Sequence, residues 1–126
     1  MHPHHAVLAT IDTYCHGVYR GDIDLLRSVF DPRALLFAEV RGEAYFRPLE
    51  EYLAVVAGRR SPQALGQAFL MKPVSIEVTQ AIAHAKVHCP MFDYNYIDYL
   101  GLICQDGQWK IVNKLFTDVP AGERMF

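Results

Sequence analysis

This chain has no long apolar run, no cluster of cysteines and no excess of charge of one sign, and each absence removes a class of function. No stretch approaches the roughly 18 consecutive apolar residues of a membrane-spanning helix. The N-terminal segment lacks the basic-then-apolar layout of a secretory leader, so the expectation is a cytoplasmic protein with no membrane partner. Lys and Arg together number 12 against 14 Asp and Glu, a net charge of −2. The basic residues are scattered, so no face can neutralise a row of phosphates, and nucleic acid is not an expected partner. Cys15, Cys89 and Cys104 are odd in number and far apart, which suits reduced thiols in a core better than a disulfide frame. There is no G-x-G-x-x-G, P-loop, G-x-S-x-G or C-x-x-C, so nucleotide-binding, hydrolase-elbow and thioredoxin chemistry have no basis, and no cofactor is expected.

What the chain does have is apolar material. Its 126 residues are 52% hydrophobic and 21% charged, enough to offset chain entropy in one core and too few for a second. One domain over 1–126 is expected, frayed over about residues 1–5.

The spacing of Val7, Leu8, Ile11, Tyr14, Cys15, Val18 and Tyr19 predicts a helix from His5 to Tyr19 that ends at Gly21. Asp22 can cap a second helix reaching Phe30, and Asp31-Pro32 stops it, because the residue before proline avoids helical angles. Ala34–Val40 and Ala44–Phe46 read as a hairpin around Arg41-Gly42-Glu43. Pro48 suits the first turn of a third helix with Leu49, Tyr52, Leu53 and Val56 on its buried side. Four β-rich stretches follow, Ala68–Thr79, Ile82–Phe92, Asn95–Gln105 and Gln108–Thr117. Helices first and an antiparallel meander second predict an α+β fold with the helices on one face of the sheet.

Asp106-Gly107 is the strongest local signal, a two-residue hairpin turn that tolerates positive φ. It places Gln105 opposite Gln108, and regular pairing then sets Cys104 against Trp109, Leu102 against Ile111, Leu100 against Asn113 and Asp98 against Leu115. That face is apolar except for Asp98 and Asn113, which lie within diagonal reach of each other. Tyr99, Ile103, Lys110, Val112, Lys114 and Phe116 fall on the opposite face. A carboxylate on a buried face costs several kcal/mol unless it is paired, protonated or open to a cavity, so Asp98 is either hydrogen-bonded for structure or a group with a raised pKa in a ligand site.

His84 and His88 have the spacing of helical zinc ligands but fall on a strand, where four residues span about 13 Å, too far to share an ion, and no metal site is expected. Cys15 and His16 are neighbours on a helix and point about 100° apart, so they do not form a nucleophilic pair. Tyr94, Tyr96 and Tyr99 suit core or interface positions, with an aromatic pocket as the alternative.

Three segments, TIDTYCHGVYRGDIDLLRSVF at Thr10 to Phe30, AVVAGRRSP after the third helix and IDYLGLICQDGQWKIVNKLFT at the C-terminal side, resemble the branch of the nuclear transport factor 2-like superfamily that carries the label putative lumazine-binding. The resemblance implies a cystatin-like cone, with N-terminal helices packed on a strongly curved antiparallel sheet, a cavity between them, and homodimers packed through the outer sheet face. It does not specify chemistry, because the superfamily holds both enzymes and binding modules.

The leading expectation is a small-molecule-binding homodimer with an apolar pocket near Asp98, Asn113, Trp109, Tyr14, Leu100 and Leu115. The alternatives are an isomerase, dehydratase or cyclase with Asp98 as general acid-base, and an interaction module that uses Lys110, Lys114 and Phe116 on the outer face.

Overall fold

The computed structural model describes residues 2–120. Helix α1 runs Pro3–Arg20, α2 Ile23–Val29 and α3 Leu49–Gly58. The strands are β1 Phe30–Val40, β2 Glu43–Pro48, β3 Lys72–Thr79, β4 Ile82–Met91, β5 Tyr94–Gln105 and β6 Gln108–Asp118. They form one curved sheet in the order β2-β1-β6-β5-β4-β3. All neighbours are antiparallel except β1 and β6, which are parallel. The sheet is therefore mixed where an antiparallel one was expected. The chain returns to β1 only after α3 and four further strands, so the final strand arrives beside the first one running the same way.

Helix α1 starts earlier than the periodicity implies. Pro3 occupies the first helical position, and the His2 imidazole accepts a hydrogen bond from the His4 backbone N–H at 3.1 Å, so residues expected to fray carry a cap. Gly21 adopts a left-handed φ of 67° and ends the helix. Asp22 caps α2 as expected, accepting from the backbone N–H groups of Asp24 and Leu25. The two helices pack closely because Gly17 has no side chain: a Cβ there would lie 2.8 Å from Leu26 Cδ2.

The stretch before Lys72 is not strand. Phe69 docks on α1 instead, stacked on His16 with ring centroids 4.7 Å apart and edge-on to Tyr19 at 5.0 Å. The core lies between α1, α3 and the concave face of the sheet, with Ile11, Leu26, Leu36, Val87, Leu100 and Ile111 fully enclosed. Asp106 and Gly107 have φ of 53° and 77°, the expected hairpin turn. Among the described residues no helix is long and apolar enough to cross a membrane.

Candidate functional site

Regular pairing in the last hairpin holds only for its first few residues. Leu102 faces Ile111, but the next pair is Gly101 with Asn113, so Val112 is an extra residue and the strand bulges. Gly101 makes this possible. Its N–H donates to Asn113 Oδ1 at 3.1 Å, and a Cβ at 101 would stand 2.6 Å from that oxygen.

A one-residue slip turns every later side chain to the other face. Asp98 therefore lies opposite Phe116 rather than Leu115, and Leu100 opposite Lys114 rather than Asn113. Asn113 and Leu115 point outward, Leu115 with 52% of its surface exposed, while Lys114 turns inward and is 4% exposed. Lys114 and Phe116 are accordingly not on the outer face. An isolated glycine inside a strand is a recognised bulge signal, and Gly101 was the one residue that marked this one.

The inward slip places Lys114 beside Asp98, with Nζ 4.0 Å from Oδ2. Two other donors reach the same oxygen: the Tyr14 hydroxyl of α1 at 2.5 Å and the Cys89 thiol of β4 at 3.3 Å. Oδ1 takes no hydrogen bond from the described residues. The Lys114 ammonium sits over three rings, 4.8 Å from the centroids of Tyr52 and Phe116 and 5.3 Å from that of Tyr14, with the Tyr52 hydroxyl 3.5 Å away.

The protonation states follow from these neighbours. Burial, and then the charge of Asp98, raise the Tyr14 pKa well above the ordinary phenol value, so Tyr14 is a hydrogen-bond donor at neutral pH. Cys89 is held up by its hydrogen bond with Cys15, by burial and by Asp98, and stays a thiol. Burial pulls the Lys114 pKa down, but Tyr52, Asp98 and Cys89 together raise it above that of a free lysine. Lys114 is thus an ammonium. It donates hydrogen bonds and stabilises negative charge, and it is not a free amine poised to attack a carbonyl.

These groups border a cavity of about 260 Å³. Tyr14 and Val18 line it from α1, Tyr52 and Val55 from α3, Cys89 and Met91 from β4, Tyr94, Tyr96 and Asp98 from β5, and Lys114 and Phe116 from β6, with Arg59 after α3 and Tyr45 on β2. Tyr94 and Tyr96, two apart on a strand, share a face and stack at 4.9 Å. Burial pushes the Tyr96 phenol up to about 12. Arg41 braces the rim. Its Nε donates to Asp118 Oδ2 at 2.6 Å and its Nη2 to the Asp93 carbonyl at 2.7 Å, and the guanidinium lies 4.4 Å over the Tyr94 ring.

Of the residues named from sequence, the structure brings Asp98 and Tyr14 together on the cavity wall. Leu100 is buried in the core and is not among the lining residues. Trp109 borders a separate depression with His2, Pro3 and Val78. Lys114, Cys89, Tyr52 and Arg59 were missed. Lys114 was assigned by parity to the other face, and the remaining three come from elements that only tertiary packing brings to Asp98. Tyr99 lies outside the cavity beside His84, with ring centroids 5.5 Å apart, and His88 Nε2 is 2.6 Å from Asn95 Oδ1. Among the described residues no three His, Cys, Asp or Glu side chains are grouped to hold a metal ion.

The comparisons with known proteins agree on the architecture. The chain is 22% identical to a nuclear transport factor 2-like protein of unknown function from Silicibacter pomeroyi, with a TM-score of 0.77 over 90% of this chain and 93% of that one. A counterpart from Shewanella baltica gives a TM-score of 0.79 at 20% identity over 94% of both chains. A curated protein of Cladobotryum, Aldolase FrzH, is 25% identical over 115 residues, 91% of this chain and 90% of that protein. The family described as Putative lumazine-binding matches residues 2–117, nearly the whole described chain, and this protein belongs to that family.

Proposed function

We propose that this chain binds a small, flat organic molecule in the cavity between α1, α3 and the sheet, as a homodimer. The observation that carries this reading is the convergence of Tyr14, Cys89 and Lys114 on one oxygen of Asp98 at the wall of an aromatic-lined cavity. Buried polar groups arranged in this way orient a ligand, while the surrounding rings supply contact area. At about 260 Å³ the space lies just below the roughly 300 Å³ at which drug-sized pockets begin, so the ligand is small. The family label, which names a heteroaromatic ligand class, supports the same reading. Native mass spectrometry of protein purified without added ligand is expected to reveal a retained small molecule, released on denaturation. Protein that emerges empty and gains no mass from a library of planar heterocycles would remove the basis for the reading.

The dimer rests on a row of side chains across the outer sheet face. Phe46, Phe37, Leu115 and Tyr99 are register neighbours on β2, β1, β6 and β5, and each is at least 40% exposed. A contiguous apolar row of this kind marks an interaction surface. Light scattering after size exclusion is expected to give twice the chain mass for the wild type and the single-chain mass for Leu115→Lys. A wild-type monomer at micromolar concentration would rule the pairing out.

A second reading, general acid-base catalysis on a carbonyl compound, is favoured by the similarity to Aldolase FrzH over nearly the full length. For a β-hydroxy carbonyl substrate, Asp98 Oδ1 takes the hydroxyl proton as the Cα–Cβ bond breaks. The electron pair passes into an enolate stabilised by the Lys114 ammonium, and the enolate is then protonated at Cα. No oxidant, reductant or metal enters this balance.

A further inference from the structure

One arginine on the cavity wall differs from the others in its surroundings. Arg27, Arg33, Arg41 and Arg47 each lie within ion-pair distance of a carboxylate. Arg59 does not. Half-buried at the end of α3, it lies with its guanidinium 5.0 Å over the Phe92 ring, and its Nη2 is buried on the cavity wall without a hydrogen-bond partner among the described residues. A buried charged donor left unmatched is costly, so an acceptor that reaches it gains a charge-assisted hydrogen bond.

The other charges near it do not fill that role. Lys114 is matched by Asp98, and Glu43, exposed on the cavity rim, forms no ion pair with Arg59. The charge of Arg59 acts on both Lys114 and Tyr96, which places it in the same electrostatic space as the polar cluster. We infer that the ligand is an anion, an aromatic or heteroaromatic molecule bearing a carboxylate or comparable anionic oxygen that pairs with Arg59 while its opposite edge meets Tyr14 and Asp98. This rests on the cavity being the binding site.

The test uses two probes of one shape, 2-naphthoate and its uncharged amide 2-naphthamide, with affinities taken from calorimetry and saturation-transfer NMR. The wild type is expected to bind the carboxylate roughly ten- to a hundred-fold more tightly, the size of a charge-assisted hydrogen bond. Arg59→Met is expected to bring the ratio of the two affinities close to one, and Arg59→Lys to keep part of the preference. Equal affinities in the wild type would overturn the inference while leaving the cavity reading intact, with water the partner of Nη2. A carboxylate preference that survives Arg59→Met would overturn it too. If neither probe binds the wild type at millimolar concentration, the cavity reading fails and the inference fails with it. The wild-type comparison needs no variant, so the inference remains testable even if Arg59→Met does not fold.

Discussion

Lys114→Met is expected to lower the stability of this protein by about 3 to 5 kcal/mol, because it leaves Asp98 charged and 1% exposed without its cation. The size comes from asymmetry. The intact pair contributes little net, since desolvation of two charges offsets their attraction, but a lone buried charge keeps the full penalty. Pairing Lys114→Met with Asp98→Leu is therefore expected to recover most of the loss, and a double-mutant cycle read by urea denaturation measures the coupling. Independent, additive losses would mean that the two charges do not sense each other. The pH dependence has a defined sign. The folded-state pKa of Lys114 is raised above 10.5, so its contribution is fully present below that value and is lost as pH rises through the folded pKa. The wild type and the Lys114→Met variant are therefore expected to converge in strong alkali, where the lysine is neutral.

Asp98→Asn separates binding from catalysis. The amide preserves shape and an acceptor for the Tyr14 hydroxyl, which is 2.5 Å from the carboxylate, but it cannot take a proton. If the cavity only binds, affinity for a retained ligand is expected to change within about ten-fold. If Asp98 is the base, turnover of a β-hydroxy ketone, followed as retro-aldol cleavage, is expected to fall by roughly two to four powers of ten with KM little changed. Melting temperatures recorded in parallel account for the ammonium that the substitution leaves unpaired. Turnover that persists in Asp98→Asn would exclude Asp98 as the proton acceptor.

The outcome at β6 shows why parity along a strand is a fragile guide to a site. Two-residue alternation, started from a turn that was read correctly, stays right from Gln105 and Gln108 to Leu102 and Ile111 and fails at the next step. The failure costs two site residues, Asn113 and Leu115, and conceals two others, Lys114 and Phe116. The energetic reason for the bulge is local: Gly101 leaves room for the Asn113 side chain to fold back and accept the Gly101 N–H, so the strand absorbs an extra residue without leaving that donor unmatched. With the bulge the buried carboxylate meets a cation. Without it the carboxylate would face Leu115, and Lys114 would stand in solvent.

The sequence by itself determined the class of fold, the three helices with their caps at Asp22 and Gly21, the last hairpin turn and the burial of Asp98, because each is set by periodicity or by the backbone preference of one or two residues. It also made the carboxylate conspicuous, since a charge on an apolar face needs an explanation wherever it occurs. Only the tertiary structure decided what surrounds that charge. Tyr14, Tyr52, Cys89 and Lys114 lie on four elements far apart in the chain, and their meeting depends on the angle of α1 against the sheet, the parallel closure of β1 on β6 and one extra residue at Val112. Local rules carry no term for any of these, since each is fixed by the joint packing of side chains that no short window of sequence contains.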